Sequence, residues 1–250
     1  MPFRLTCITA HPDDESGAFG GALAMAHSLG VETSVLCLTE GRAAANRGEA
    51  KTDEELGRMR RAEFEAAGQV LGVTHGVLLN YPDGGLARED FPTLVREMVK
   101  HLRKWRPQVV LTWGGEGGVN LHADHTMVCL AATAAFHWAG REVYFAEDGV
   151  ATYAPQKLYY SSPPFLLARK ADEADFATRS PYSLVLELGE QWKQKKLEAF
   201  MQHDTQSSLF ERVRPIFEEN SQREFYLLAA SRALRLASED SALFDGVVED

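Results

Sequence analysis

The stretch FRLTCITAHPDDES, residues 3–16, runs from an apolar, β-branched segment straight into a His, two Asp and a Glu. Residues 3–10 read as a buried strand. Burying unpaired charge is costly, so the cluster at 11–15 requires water, a metal or a catalytic duty. Working outward, SGAFGGALAMAHSLG (16–30) reads as a small-residue helix stopped by Gly30, and ETSVLCLT (32–39) as a second buried strand. The segment 52–72 opens on Thr52 with Glu55 three residues on, a capping-box pattern, and carries a mostly apolar face through Leu56, Met59, Phe64, Ala67 and Leu71. HGVLLN (75–80), QVVLTW (108–113), KLYYSS (157–162) and YSLVLEL (182–188) read as further strands. Residues 91–107, a segment from about Asp124, and residues 190–203 and 207–235 read as helices. This alternation of near-continuously apolar strands with helices predicts an α/β fold whose mostly parallel sheet is covered on both faces. Residues 40–51 and the proline-marked 161–181 read as loops, the latter as a flap or an excursion between strands. The acidic tail (237–250) is expected to fray. With no internal repeat or low-complexity tract, the chain reads as one domain over 1–250, the helices of 190–235 packing on it.

The bulk numbers narrow the partners. The chain has 250 residues, 45% of them hydrophobic, enough for an ordinary core, and a net charge of −10. That charge argues against a surface built for nucleic-acid phosphates or acidic lipid. No apolar run approaches the roughly 20 residues that span a bilayer, and MPFRLTCITAHPDD lacks the features of a signal peptide. Cys7, Cys37 and Cys129 are far apart inside apolar runs, which reads as buried free thiols in a reducing cytoplasm. The subunit count is left open, a homo-oligomer included.

A second chemistry-bearing cluster, WGGEGGVNLHADHTM (113–127), also follows a buried strand. In open α/β sheets, sites form beyond the carboxyl ends of strands. His11 and Asp14 are three apart, as are His122 and His125, and two such clusters form the layout of a split metal site. Two neutral imidazoles and one carboxylate leave a fourth position for water and suit zinc, with Fe²⁺ or Mn²⁺ also admissible. Asp13 is then the natural general base. His122 is the candidate for stabilising an oxyanion or protonating a leaving amine, and Asp124 for holding an imidazole in the right tautomer. A blander reading stands beside each piece: HPDD as a helix-capping turn, HADH as a polar helix start.

AHPDDE (10–15) with a downstream HADH (122–125) resembles the LmbE-like, or PIG-L, family of zinc-dependent N-deacetylases. The likeness extends through RRAEFEAAGQVLGV (60–73), LNYPDGGL (79–86), KWRPQVVLTW (104–113) and KKLEAFMQHDTQ (195–206). It implies a Rossmann-like, three-layer αβα sandwich and removal of an acetyl group from an N-acetylglucosamine-type conjugate. It further implies His11, Asp14 and His125 as metal ligands, Asp13 as base, His122 as the assisting histidine with Asp124 its polar neighbour, and Arg60 and Asp83 as sugar contacts. Two departures stand out. Asn120 replaces a Tyr that in some members polarises the amide carbonyl, and Thr205 replaces a Ser, leaving His203 and Gln206 in place. For Arg60 the alternative is a helix-surface pair with Glu63 or Glu55, for Asp83 a turn residue before Gly84, and for His203 a helix C-terminal residue. Two rival functions remain: zinc amidohydrolysis of a non-sugar amide, and a Rossmann-like binding protein without catalysis. The second is opposed by the absence of GxGxxG spacing after the first strand.

Overall fold

The computed structural model describes residues 2–163, 182–232 and 242–249. Seven strands, β1 (Arg4–Thr9), β2 (Glu32–Thr39), β3 (His75–Tyr81), β4 (Val109–Trp113), β5 (Lys157–Ser161), β6 (Leu184–Glu187) and β7 (Arg223–Ser231), form one sheet in the order β3-β2-β1-β4-β5-β7-β6. The first five are parallel, and β7 runs antiparallel to both β5 and β6. The helices are α1 (Asp14–Gly17), α2 (Gly20–Ser28), α3 (Asp53–Leu71), α4 (Phe91–Trp105), α5 (Ala123–Trp138), α6 (Gly189–Phe200) and α7 (Ser207–Asn220). This is the expected α/β architecture with a mostly parallel sheet and helices on both faces.

Local chemistry sets the elements. Thr52 caps α3 by accepting the Glu55 amide, and Glu55 reaches back to the Lys51 amide, one residue before the cap. Asp90 caps α4, whose Leu94, Val95, Met98, Val99 and Leu102 form a continuous buried stripe. One apolar layer joins α2, α3 and α6 to the Leu5 and Cys7 face of the sheet, and the other joins α4 and α5 to the Ile8 and Val110 face. No helix among the described residues is long and apolar enough to cross a membrane. The order matters for the site. β1 lies between β2 and β4, so the strand order reverses there, and the loops leaving β1 and β4 flank the crevice that such a reversal opens.

Three expectations require comment. The helix expected over 207–235 ends at Asn220, and Arg223–Ser231 is a strand inserted between β5 and β6. The alternation that marks a strand is hidden because its inward positions begin with a charge: Glu224 and Tyr226 are buried. The expectation of a fraying tail is corrected for 242–249, where Leu243 is buried, Phe244 packs on Phe3 and Val248 exchanges hydrogen bonds with Gln156. Its apolar residues outweigh the surrounding acidic ones. The expected flap lies, over 164–181, outside the described residues.

Glu224 has a structural duty. Its carboxylate accepts from the Gly21 and Ala22 amides at the start of α2, from Lys196 Nζ at 2.7 Å and from the Tyr226 hydroxyl. Glu224→Gln is expected to destabilise the protein by about 3 kcal/mol in urea unfolding, because it leaves the Lys196 charge buried and unpaired. Lys196→Met in the same chain is expected to recover most of that loss. Strictly additive losses in the double-mutant cycle would refute the coupling.

Candidate metal centre and active site

The loop after β1 turns at Ala10–Asp14, and the loop after β4 returns through Gly117 and Gly118 to the start of α5. They bring His11, Asp14 and His125 together. His11 Nδ1 lies 3.2 Å from His125 Nε2, Asp14 Oδ1 lies 3.3 Å from His125 Nε2, and His11 Nδ1 lies 3.8 Å from Asp14 Oδ2. Ligands held about 2.0–2.1 Å from a tetrahedral ion stand about 3.3 Å from one another.

The surroundings fix which atoms carry protons. His125 Nδ1 faces the Gly117 carbonyl at 3.0 Å, which only accepts, so Nδ1 carries the hydrogen and Nε2 presents its lone pair. His11 Nε2 faces Asp83 Oδ1 at 3.0 Å and Asp124 Oδ2 at 3.4 Å and donates to them, directing Nδ1 at the same point. Burial alone would lower the His11 imidazole, but the Asp124 and Asp83 carboxylates outweigh it and hold its pKa up at about 10, so at neutral pH Nδ1 carries a proton that bridges to His125 Nε2 and that a bound cation would replace. Asp14 is held well below the usual carboxylate range: burial pushes it up, and His125, His11 and the His11 amide more than compensate. Its Oδ2 accepts from the Ala10 and His11 amides and from Trp113 Nε1. A single proton can bridge two of these three converging acceptors, whereas a divalent cation satisfies all three. The donor set therefore fits a metal ion. The Trp113 ring stacks on His125 at 4.2 Å between centroids, and a Cβ at Gly118 would stand 2.6 Å from that ring. Only glycine admits the loop so close.

Asp13 is half-buried beside Asp14, its side chain 17% exposed. Its backbone is left-handed (φ 109°), a strained conformation for a non-glycine residue. Two clamps hold it. From α3, Arg60 donates to Asp13 Oδ2 at 2.8 Å, to the Gly41 carbonyl at 3.1 Å and to the Pro12 carbonyl. From the other side, Glu15 Oε2 accepts the Asp13 amide while Glu15 Oε1 accepts from Ser16 and from His203 Nε2 at 2.7 Å. Burial pushes the Asp13 carboxyl up to about 6 against the pull of Arg60. The Glu15 carboxyl lies below its ordinary value, since His203 outweighs the effect of burial.

His122 caps α5, its Nδ1 accepting the Asp124 amide at 3.1 Å, so in the neutral ring Nε2 carries the proton. The ring nitrogens of His11, His122 and His125 approach within 4.8 Å of one another. Burial, aided by the two neighbouring histidines, keeps the His122 pKa below its ordinary value.

The other sequence candidates are placed as follows. Asp124 is buried and faces His11 rather than orienting His122; its oxygens also accept the Gly84 and Leu86 amides. Asp83 divides its oxygens between His11 and the Ala43 amide. Arg60 and His203 are both enclosed and turned toward the Asp13 turn. Asn120 is exposed and lines the cavity beside His125. The sequence reading assigned nothing to Glu15 or Trp113. A carboxylate in the first turn of a helix reads as a solvated residue, and a Trp ending a strand as core. The Glu15–His203 separation of 188 residues carries no local signal.

The chain matches the family model described as PIG-L, GlcNAc-PI de-N-acetylase, over residues 6–136. It is 32% identical over 177 residues to a mycothiol S-conjugate amidase of Streptomyces coelicolor, covering 63% of this chain and 60% of that protein. It is 30% identical over 206 residues to a 1D-myo-inositol 2-acetamido-2-deoxy-alpha-D-glucopyranoside deacetylase of Nakamurella multipartita, covering 70% of each. Among solved structures, N,N'-diacetylchitobiose deacetylase from Pyrococcus horikoshii superposes with TM-score 0.75 at 21% identity, over 94% of this chain and 86% of that one. A 4-carboxy-2-hydroxymuconate hydratase from Pseudomonas putida superposes with TM-score 0.70 at 20% identity, over 94% and 99%. These two likenesses concern the fold alone. The family match spans more than half of the chain and takes in both loops that meet at His11, and the chain belongs to the PIG-L family.

Proposed function

We propose that this protein is a zinc-dependent hydrolase that removes the acetyl group from the amide nitrogen of an N-acetylglucosamine-type conjugate, with His11, Asp14 and His125 as metal ligands. One observation carries the reading: His11 Nδ1 and His125 Nε2 converge at 3.2 Å beside Asp14 Oδ1, while the second nitrogen of each ring is bonded from behind. Carboxylates and a carbonyl donating order to metal-bound imidazoles are the usual outer support of such sites. The relatives named as a mycothiol S-conjugate amidase and as a deacetylase of a 2-acetamido-2-deoxy-glucopyranoside support the substrate class. A small conjugate in the cytoplasm accords with the net charge of −10 and with three buried free cysteines.

A divalent cation held there supplies Lewis-acid polarisation of the amide carbonyl and acidifies water. The chain's own residues do the rest. Asp13, with a pKa raised to about 6, is ionised at neutral pH yet basic enough to take a proton from the attacking water. Arg60 keeps its Oδ2 aimed while the strained turn keeps Asp13 beside the ligand Asp14. The proton taken by Asp13 is returned to the amine as the C–N bond breaks. His122, its Nε2–H directed by the Asp124 amide on Nδ1, donates to the oxygen that gains negative charge. Asp124 and Asp83 act one step further out, as positioning residues for His11.

Asp13→Asn is expected to retain metal and lose about 10²–10⁴ in kcat, the range of a removed general base. Acetate release from N-acetylglucosamine conjugates at the wild-type rate would overturn that role. By contrast, His125→Ala and Asp14→Ala are expected to abolish stoichiometric zinc, read by elemental analysis after dialysis. Asp124→Asn is expected to weaken zinc binding by about 10–100-fold in competition with a chromogenic chelator. Unchanged affinity would show that Asp124 does not orient His11.

A further inference from the structure

We infer that the buried pair Glu15–His203 is a positioning device for the reaction: it holds the main chain of Asp13 in its left-handed turn and so keeps the Asp13 carboxylate where the attacking water loses its proton. This rests on the hydrolytic reading above, in which Asp13 is the general base. Both side chains of the pair are 0% exposed, so neither can touch substrate. His203 Nε2 donates to Glu15 Oε1 at 2.7 Å, and Glu15 Oε2 accepts the Asp13 amide at 3.0 Å. Ser16 donates to the same Oε1 at 2.7 Å. Among the described residues, His203 Nδ1 has no partner, so the polar contacts of the ring all run to Glu15 and Ser16. His203 thereby fixes the Glu15 side chain, and Glu15 fixes the backbone of the base.

The local geometry favours positioning over stability as the role of the pair. Asp13 stands where an Asp ordinarily caps a helix, yet its side chain makes no cap bond to α1. The carboxylate goes to Arg60 instead, on a backbone with φ 109°. Such a backbone persists only while surrounding groups over-determine it. Arg60 grips the Asp13 carboxylate and the Pro12 carbonyl, whereas the Asp13 amide is held by Glu15. A buried ion pair gains little over well-packed apolar side chains of similar volume. This one also leaves a ring nitrogen enclosed and unpaired, which native interiors seldom tolerate. Departures of that kind collect at functional sites, where a conformation is being fixed. The ligand Asp14 is secured separately, its Oδ2 by the Ala10 and His11 amides and by Trp113 Nε1. Loosening the pair should therefore displace the base and leave the metal ligands in place.

The test uses the zinc-loaded protein, acetate release from N-acetylglucosamine conjugates, and zinc per chain by elemental analysis. His203→Leu is expected to keep stoichiometric zinc and an unchanged KM while kcat falls about 10²-fold, the loss that a misplacement of about 1 Å brings. Glu15→Met combined with His203→Leu replaces the whole pair by apolar side chains. It is expected to unfold in urea near the wild-type midpoint yet keep the low kcat, and it stands in should the single variant fail to fold. In an Asp13→Asn background the same replacement is expected to cost nothing further, because its effect passes through Asp13. Wild-type kcat in a folded variant, a loss confined to KM or accompanied by lost zinc, or an equal loss with and without Asp13 would overturn the inference and leave the hydrolytic reading intact. If the wild type releases no acetate, the sugar reading fails instead, and crystal structures of the wild type and the double variant decide. Asp13 out of its left-handed turn, with the sheet unmoved, supports the positioning role, and an unmoved Asp13 refutes it.

Discussion

Three hydrogen-bond acceptors, His11 Nδ1, His125 Nε2 and Asp14 Oδ1, converge within the span of one ion. Burying them together is unfavourable unless positive charge sits among them. Much of the structure serves to enforce that convergence. The adjacency of β1 and β4 delivers the two loops to the same crevice. The Gly117 carbonyl and the Asp83–Asp124 carboxylates fix the two ring tautomers. The Trp113 indole holds Asp14 through Nε1 and His125 through its face, so one side chain sets the distance between residues of the two loops.

Asp13 is constrained differently. Its left-handed backbone costs on the order of 1–3 kcal/mol and persists only because surrounding groups over-determine it. Those groups come from across the chain. Arg60 arrives from α3 and His203 from the turn after α6, and the two are tied to each other through Glu63, which accepts the amide and hydroxyl of Thr205. Gln206 bonds the Asn46 carbonyl and fastens the 40–51 loop to the same point. Residues 203–206 thus act as a brace behind the site. Thr at 205 keeps both bonds that a hydroxyl and an amide can make to Glu63.

The convergence of the two clusters was legible because spacing carries it. His11 with Asp14 and His122 with His125 lie three apart after buried strands, and the alternation of elements places both strands in one parallel sheet. The parallel half of the sheet was legible for a related reason: β1, β2, β4 and β5 are rich in apolar and β-branched residues and buried almost throughout. Position in the outer layer was not legible. Arg60, Asp83 and His203 are polar residues that a sequence assigns to a ligand or to solvent, and their actual partners are Asp13, His11 and Glu15. Long-range pairing among charged residues has no period. β7 escaped for a related reason, since a buried Glu at its first inward position erases the alternation by which strands are recognised.

The fold by itself does not select a reaction, because a reversal between β1 and β4 offers the same crevice to any chemistry. Selection lies in what stands around His11, Asp14 and His125. Asp13, a carboxylate raised to about 6, lines a cavity shared with Asp14 and His125. His122, whose ring lies against His11 and His125, has a pKa below the ordinary value, so that at neutral pH it is an uncharged donor with a fixed tautomer. A base and a neutral hydrogen-bond donor beside this cluster suit a reaction that consumes a water proton at one place and gathers negative charge at another. Amide hydrolysis has that form: the nucleophile must lose a proton before the carbonyl oxygen can carry charge, and the nitrogen must regain one before it leaves. A site lacking Asp13 would still gather the ligands, and one lacking His122 would still activate water. The proposed hydrolysis depends on the placement of both, braced from behind by residues distant in sequence.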